Sequence, residues 1–343
     1  MRSVVITAHG GNEVVQISEQ PMPKRKRGEA LVRMQASGLN RVDLYMRDSG
    51  VGITHNLPLI MGLDGAGEIV DIDDEEKNLR KGQRVVIHPG IGCSHCEFCR
   101  RGEHVLCTDM KFMGEHRNGT LTEFACVPVE NVFTAPHGLD TVEAAVLSVA
   151  PITAWRMIFT KAQLKPWETV LIFGVGGAVS LSALQFAHII GAKVIVTSRD
   201  EEKRNKAINL GAFAAIDSNL DVAKSVMALT NGRGVDVVIE NVGQAVWPSA
   251  LKSLVRGGRI ITCGATSGDA PSADLRRMFI RQLQVIGSTH GTFAEFAEML
   301  AVCERGLFKP IIDSCFDMTN IHNALDRLES SNQFGKIGIH IAN

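Results

Sequence analysis

Apolar and polar positions divide the chain into two regions with different patterns. In the first, residues 1 to about 150, short apolar runs are separated by glycine, proline and charged residues, as in strands joined by turns. The predicted strands are Ser3–Thr7, Ala30–Gln35, Gly67–Ile72, Arg84–His88 and Glu123–Val129. This pattern favours a small barrel-like fold.

In the second region, residues 152–291, apolar strands alternate with helices. Its first unit is a strand at Thr169–Phe173, a turn at Gly174–Gly177, a helix at Ala178–Ile190 closed by Gly191, and a strand at Lys193–Thr197. The remaining predicted elements are helices at Glu201–Leu210, Val222–Leu229 and Trp247–Val255, and strands at Ala214–Ile216, Val235–Glu240, Arg259–Cys263 and Gln284–Gly287. This alternation predicts an α/β fold with a doubly wound parallel sheet, whose ligands lie at the carboxyl ends of the strands.

Beyond residue 291 the chain predicts two further helices and one strand. Thr292-Phe-Ala-Glu295 is a capping box that opens a helix, another helix lies near Ile321–Leu328, and a strand lies at Lys336–Ile341. A strand at that point can return to the first region. We therefore expect one domain made of residues 1–151 and 292–343, with a nucleotide-binding domain, residues 152–291, inserted between its parts.

Composition excludes several classes of protein. The 343 residues suffice for two domains, and a net charge of −1 argues against wholesale nucleic-acid binding. The basic run Lys24–Arg27 and the acidic run Asp71–Glu76 predict solvated loops. No apolar run approaches the ~20 residues that span a bilayer, and the N-terminus has no signal-peptide pattern. We expect a cytoplasmic protein that binds neither nucleic acid nor membrane.

Four of the eight cysteines fall within residues 93–107 as Cys93, Cys96, Cys99 and Cys107. Four thiolates at this spacing can close a tetrahedral zinc site, and four protein ligands leave no open position for catalysis. There are three alternatives. A nucleic-acid-binding zinc ribbon would use two separated C-x₂-C knuckles, and a bacterial-type iron–sulfur run would place its fourth cysteine closer to the third. Chance clustering of free thiols is the remaining alternative. We therefore predict one structural Zn²⁺, with His95 as a loop residue.

The turn after the first strand of the second region predicts a dinucleotide site. Glycines there let the backbone approach a pyrophosphate at a helix N-terminus, although Val179 replaces the third glycine of the usual spacing. An NAD site places Asp or Glu at the end of the next strand, whereas this chain has Ser198 and Arg199, with Lys203 one turn later. A hydroxyl and two cations predict NADPH. The alternative is a solvated helix start.

These features together resemble the medium-chain dehydrogenase/reductase superfamily, which includes the zinc-type alcohol dehydrogenases. The resemblance rests on a GroES-like first domain, the four-cysteine lobe, the late nucleotide domain and the ending FGKIGIHI. The chain looks most like the quinone oxidoreductase-like branch. Zinc-dependent members carry Cys-His-Thr-Asp, Gly-His-Glu and a later Cys. In this chain the ligand positions of those three stretches are Asn40, Leu63 and Val149, which argues against a catalytic zinc.

The resemblance implies site residues. Asn40 would orient the nicotinamide or the substrate oxygen, and Tyr45 would donate a proton or be a packed aromatic residue. Asp43 belongs to the same stretch and would act there or hold a loop, Asp64 would be structural, and His116 is another possible acid. The implied cofactor residues are Thr153, Gly174, Gly176, Gly177, Ala178, Val179, Ser198, Arg199, Lys203, Asn241, Val242, Gly264, Ala265, Ser288 and Lys336.

The function expected at this point is an NADPH-dependent reductase. Hydride would pass to a small quinone or activated alkene, such as an enone or enoyl thioester, without a catalytic zinc. Two alternatives remain: a zinc-dependent alcohol dehydrogenase acting on alcohols and aldehydes, and a non-catalytic NADPH-binding protein. The family further implies a homodimer or homotetramer.

Overall fold

The computed structural model describes residues 1–73 and 78–341. Part of the acidic run predicted as a surface turn, residues 74–76, lies outside the described residues. The strands are β1 (Arg2–Ile6), β2 (Val15–Glu19), β3 (Glu29–Leu39), β4 (Leu59–Ile60), β5 (Ala66–Asp71), β6 (Arg84–Ile87), β7 (Gly90–Ile91), β8 (Lys111–Phe112), β9 (Phe124–Pro128), β10 (Val132–Thr134), β11 (Thr169–Ile172), β12 (Lys193–Ser198), β13 (Ala214–Asp217), β14 (Val235–Glu240), β15 (Leu254–Thr262), β16 (Gln284–Gly287), β17 (Ile312–Asp317) and β18 (Lys336–His340).

The helices are α1 (Arg41–Asp48), α2 (Glu97–Arg100), α3 (Thr141–Ala145), α4 (Ala150–Trp155), α5 (Ala178–Ile190), α6 (Glu201–Asn209), α7 (Val222–Leu229), α8 (Trp247–Ser253), α9 (Leu275–Arg281), α10 (Phe293–Glu304) and α11 (Ile321–Glu329). None of the described helices is both long enough and apolar enough to cross a lipid bilayer.

The chain divides into two compact units. Unit 1 is Met1–Ile152 with Gly291–Asn343, and unit 2 is Thr153–His290. In unit 1 the main sheet has the order β10-β6-β5-β3-β18-β17, with β9 also paired to β3, and a second sheet has the order β2-β1-β4. The apolar side chains of these strands meet α11 in one core. The late strand β18 lies between β3 and β17, so the end of the chain completes the sheet of unit 1.

Unit 2 contains a six-stranded parallel sheet in the order β13-β12-β11-β14-β15-β16. This is the doubly wound order in which the strand sequence reverses between β11 and β14, and ligands of such sheets lie at that reversal. The central strands β11, β12 and β14 are buried on both faces, as their continuous apolar runs predict, whereas the edge strand β16 is largely exposed. The predicted fold class is confirmed, and the structure matches the predicted bounds of α5, α7, β14 and β16.

Sequence analysis missed one element that bears on function. Residues 41–48 form helix α1, whereas the first region was predicted to be β-rich. The stretch Arg-Val-Asp-Leu-Tyr-Met-Arg-Asp spans only eight residues, which is too short for a helical period to be distinguished. The sequence feature that could have predicted this helix is its N-terminal cap, because Asn40 and Asp43, three residues apart, form a capping box.

Candidate active site and metal centre

Helix α1 fixes the first two predicted catalytic residues. Asp43 Oδ2 accepts a hydrogen bond from the backbone N–H of Asn40 at 2.7 Å, and Asp43 N–H bonds the carbonyl of Asn40 at 3.0 Å. Asp43 is 1% exposed and Asn40 is 8% exposed. The carboxylate is therefore held at the helix N-terminus, where the helix dipole favours negative charge.

Lys336, at the start of β18, joins this cluster from the far end of the chain. Its ammonium lies 2.6 Å from the Leu39 carbonyl, 2.6 Å from Asn40 Oδ1 and 2.7 Å from Asp64 Oδ2. Lys336 and Asp64 are 3% and 0% exposed. All three ammonium protons have acceptors, so this lysine is a buried counter-ion in unit 1. Its described partners all belong to unit 1, and its role as a cation for the cofactor stays a prediction.

Burial raises the pKa of three carboxyl groups in unit 1, those of Asp43, Asp64 and Glu115. It raises the pKa of Asp43 to about 7, against the opposing hydrogen bond from Asn40, while charges on Asp64 and Glu115 raise it further and Lys336 lowers it. Burial also raises the pKa of Asp64, and Lys336 is the main opposing influence. Burial raises the pKa of Glu115 to about 7. Two carboxyl groups of unit 1 therefore change charge near neutral pH.

Tyr45 and His116 lie at the edge of this region. Tyr45 is 42% exposed, and its hydroxyl donates to the Val51 carbonyl in the loop after α1. The Nδ1 atom of His116 accepts a hydrogen bond from Phe112 N–H at 3.1 Å. Burial, followed by the charge of Lys111, lowers the pKa of His116. Both side chains are thus engaged with the backbone.

The positions that hold a catalytic zinc in the family do not suit a metal here. Asn40 Oδ1 already accepts from Lys336, Leu63 is a buried aliphatic residue, and Val149 has no donor atom. Among the described residues, the Cys, His, Asp and Glu side chains form one group of three or more that could hold a metal ion, and it lies elsewhere. Neither leucine nor valine coordinates zinc, so the donor set does not fit this ion.

That group is the cysteine lobe. The sulfur atoms of Cys93, Cys96, Cys99 and Cys107 all lie within 4.8 Å of one another. Backbone N–H groups point at three of them, at 3.3 Å for Cys93, 3.5 Å for Cys96 and 3.3 Å for Cys107. The hydrogen bond from Cys99 N–H is the main cause that lowers the pKa of Cys96 to about 6. Four convergent sulfurs with N–H support fit a tetrahedral structural zinc. His95 turns its Nδ1 towards the Cys93 carbonyl.

The glycine turn of unit 2 connects β11 to α5. Gly174 and Gly176 have φ values of 67° and 128°, which glycine adopts without strain. A Cβ atom at Gly174 would meet Val242 at 3.4 Å, and one at Gly177 would meet the Gly174 carbonyl at 3.7 Å, so the turn has open space beside it. Gly177 is the N-cap of α5 and has no side chain to satisfy the helix N–H groups. An open turn at a bare helix N-terminus fits a pyrophosphate.

Other predicted cofactor residues lie at the carboxyl ends of neighbouring strands. Asn241 follows β14, Gly264 follows β15 and Ser288 follows β16. The Ser288 hydroxyl is buried and has no hydrogen-bond partner among the described residues, as expected of a group that binds a ligand. The predicted Ala178, Val179, Val242 and Ala265 lie beside these residues, and Thr153 lies in α4.

Sequence analysis missed residues that support this edge of the sheet. Ser180 donates to the Phe173 carbonyl at 2.7 Å and accepts from Asn241 at 3.2 Å, which ties the turn to β14. Glu240, fully buried, accepts from Val242 and Gly243 N–H at 2.5 and 2.6 Å and from Thr262 at 3.1 Å. The sequence could have indicated this role of Glu240, because a carboxylate at the end of a buried strand needs several hydrogen-bond donors around it.

The end of β12 corrects one argument for NADPH. Asp200 is the N-cap of α6 and accepts from Lys203 N–H at 3.0 Å, and Glu201 and Glu202 occupy the first turn. The helix dipole is therefore already compensated without a bound anion, which removes the electrostatic argument from Lys203. Ser198 remains at the strand end, where its hydroxyl accepts from Asp200 N–H at 3.2 Å, and Arg199 is exposed.

Comparisons with known proteins cover the whole chain. Residues 26–137 match the alcohol dehydrogenase GroES-like domain, and residues 178–305 match the zinc-binding dehydrogenase family. An NAD-dependent alcohol dehydrogenase of Sulfolobus acidocaldarius is 31% identical, over 96% of both chains. The chain belongs to the zinc-type alcohol dehydrogenase-like group of the medium-chain dehydrogenase/reductase superfamily. A zinc-type alcohol dehydrogenase-like protein of Schizosaccharomyces pombe is 30% identical over 99% of both chains. The crystal structure of an NAD-dependent alcohol dehydrogenase superposes with a TM-score of 0.96, at 33% identity and with complete coverage of both chains.

These relatives overturn the expected function. The residues at the expected zinc-ligand positions suggested a quinone or activated-alkene reductase, but relatives at about 30% identity that match nearly the whole chain are named NAD-dependent alcohol dehydrogenases. Loss of metal ligands is a change at single positions and does not by itself assign a branch of the superfamily. Membership of a dehydrogenase family also disfavours the non-catalytic alternative.

Proposed function

We propose that this protein is a pyridine-nucleotide-dependent alcohol dehydrogenase that interconverts a small alcohol and its carbonyl compound. The observation that carries the proposal is the buried cluster of Asp43, Asp64 and Lys336 in a chain related throughout to alcohol dehydrogenases. Oxidation of an alcohol releases one hydride and one proton. The nicotinamide, when bound, accepts the hydride, and a protein group must accept the proton.

Asp43 is the proposed proton acceptor. Its Oδ1 atom is buried and has no hydrogen-bond partner among the described residues, and its pKa lies at about 7 because of burial. A base poised near the working pH transfers protons efficiently. Asn40, fixed between Lys336 and α1, would orient the alcohol oxygen. Tyr45 would hold the loop after α1 beside the same site.

We further propose that this reaction does not use a catalytic zinc. The positive charge next to Asn40 belongs to the Lys336 ammonium, and Leu63 and Val149 cannot coordinate a metal. A fixed cation that Asp64 holds in place stabilises negative charge nearby without any metal ligand.

The cysteine lobe supports one structural Zn²⁺. It would crosslink residues 93–107, and a closed four-sulfur site supplies stability only. None of the described cysteines is paired in a disulfide, which agrees with our proposal of a cytoplasmic protein.

The proposed cofactor is NADP(H), held by the turn of Gly174, Gly176 and Gly177 and by the end of β12. Ser198 and Arg199 stand where an NAD site carries an acid, and the exposed guanidinium can reach a 2′-phosphate from the surface. Several relatives are named NAD-dependent alcohol dehydrogenases, so the cofactor preference of this chain would differ from theirs.

We also propose that the chain forms a homodimer, alone or within a tetramer. The strand β16 is the edge of the parallel sheet, and the adjacent helix α9 exposes Leu275 and Phe279, each at 70%. An unprotected edge beside exposed apolar residues favours pairing with a second copy. Light scattering on the purified protein measures the molecular mass of the assembly, and a monomer mass would refute the homodimer.

The direct test of the activity is a turnover assay. Purified protein is mixed with NADP⁺ or NAD⁺ and a panel of primary and secondary alcohols, and formation of the reduced nicotinamide is followed. We expect turnover of at least one alcohol and reduction of the corresponding carbonyl compound. Reduction of quinones or enones with no turnover of any alcohol or carbonyl compound would refute the proposal. The zinc-free reaction is tested separately: protein dialysed against a mild chelator should keep its turnover, and a loss of turnover that added Zn²⁺ restores would refute it.

A further inference from the structure

Two histidine side chains of unit 1 face each other outside the cluster described above. His9 lies in the turn after β1 and His55 lies in the loop after α1, and their Nε2 atoms are 3.1 Å apart. The ring planes are nearly perpendicular, at 83°. Both side chains are accessible to solvent. The catalytic proposal uses neither residue.

The other nitrogen of each ring fixes its tautomer. His9 Nδ1 lies 3.1 Å from the Met46 carbonyl, and His55 Nδ1 lies 2.7 Å from the Ile53 carbonyl. A carbonyl only accepts, so both Nδ1 atoms must carry the proton. In two neutral imidazoles of this tautomer both Nε2 atoms present lone pairs. Those lone pairs would face each other at 3.1 Å and repel, unless a cation lies between them.

We infer that His9 and His55 bind a divalent transition-metal ion of the zinc type, with water completing its coordination. Neutral imidazole nitrogen is a preferred ligand of such ions, and a backbone carbonyl on the opposite nitrogen is the usual support for a metal-binding histidine. Two imidazoles on a tetrahedral zinc, with Zn–N bonds of about 2.0–2.1 Å, have nitrogen atoms roughly 3.3 Å apart. The observed separation is close to that value.

The surrounding backbone is shaped for this arrangement. Gly50 has a φ of +54°, and a Cβ atom there would lie 2.5 Å from His55 Cε1, so a side chain would displace the ring. Gly10 N–H bonds the carbonyl of Arg47 at 3.0 Å, which holds the turn that carries His9 against the end of α1. A bound ion would therefore clamp two loops onto the helix that carries Asp43.

The test is zinc binding by protein whose cysteine lobe is already filled. Protein with one zinc per chain is titrated with Zn²⁺ by calorimetry, and His9→Gln and His55→Gln are compared with wild type. His137→Gln is the matched control, because His137 is an exposed histidine of unit 1 that pairs with Glu304. We expect one additional ion per chain in wild type and in the control, and binding weaker by roughly tenfold or more in both test variants. Zn²⁺ should also raise the thermal midpoint of wild type more than that of His55→Gln.

Two results would overturn the inference. One is the absence of a saturable second ion in wild type, or binding that neither test variant weakens. The other comes from long-range ¹H–¹⁵N spectra of the metal-free protein. If one of the two rings stays protonated on both nitrogens at alkaline pH, a shared proton and not a metal holds the pair.

Discussion

The buried pair of Lys336 and Asp64 allows a prediction whose size follows from its burial. Lys336→Met removes an ammonium with three contacts of 2.6–2.7 Å and leaves the Asp64 carboxylate, which is 0% exposed, without its counter-ion. Removing one partner of a buried ion pair costs about 3–5 kcal/mol. In a unit of about 200 residues, this lowers the melting temperature by about 6–20 °C. The loss should deepen as pH rises, because burial raises the pKa of Asp64 and acid neutralises the orphaned carboxyl group.

Thermal unfolding followed by calorimetry and by circular dichroism measures this loss. Lys336→Met combined with Asp64→Leu replaces both charges with apolar groups, and we expect it to recover most of the lost stability. Arg33→Met is the control, since the pair of Arg33 and Glu68, 46% and 30% exposed, contributes at most about 1 kcal/mol. If Lys336→Met loses no more stability than Arg33→Met, the Lys336 ammonium is not the counter-ion that stabilises the buried Asp64 carboxylate.

Three further predictions concern chemistry, cofactor and metal. Asp43→Asn keeps an acceptor for the cap but removes the base: kcat for alcohol oxidation should fall about 10²–10⁴-fold, and the rise of kcat/KM with pH through about 7 should disappear. A variant that retains this pH dependence would exclude Asp43. Arg199→Asp should raise KM for NADP⁺ and lower that for NAD⁺, and an unchanged ratio in steady-state assays would place the phosphate elsewhere. Cys99→Ala should lose the structural zinc and melt at lower temperature. If Cys99→Ala made in the His55→Gln background still carries one zinc per chain by elemental mass spectrometry, the four-sulfur site is contradicted.

Unit 2 could be predicted almost element by element because its central strands β11, β12 and β14 are buried on both faces. Such strands appear as continuous apolar runs, and Gly191 stops α5 in the left-handed conformation that the sequence predicted, with φ at 91°. The cysteine lobe was equally accessible, because its four ligands lie within residues 93–107 and their spacing alone brings the sulfurs together.

The polar cluster of unit 1 could not be predicted in the same way. Lys336 meets Leu39 and Asn40 only because β18 pairs with β3, a register that no local pattern specifies. The resemblance implied a cation for the cofactor, which stays a prediction, and the fold makes the same residue a buried counter-ion of Asp64. The residues after β12 also led to a wrong argument. The cations near the start of α6 suggested that this helix needs a bound anion, whereas Asp200 already caps it.

The interrupted arrangement of unit 1 has a consequence for the order in which the protein matures on the ribosome. Residues 1–152 are synthesised before all of unit 2, yet their sheet lacks the strand between β3 and β17 until β18 emerges. Unit 2, residues 153–290, is contiguous and can fold as it is made. Until β18 is made, the main sheet of unit 1 is incomplete and Asp64 lacks its counter-ion. When β18 pairs with β3, the sheet is completed and Lys336 neutralises the charge of Asp64. A nascent chain stalled before residue 336 would thus carry a complete unit 2 and an incomplete main sheet in unit 1.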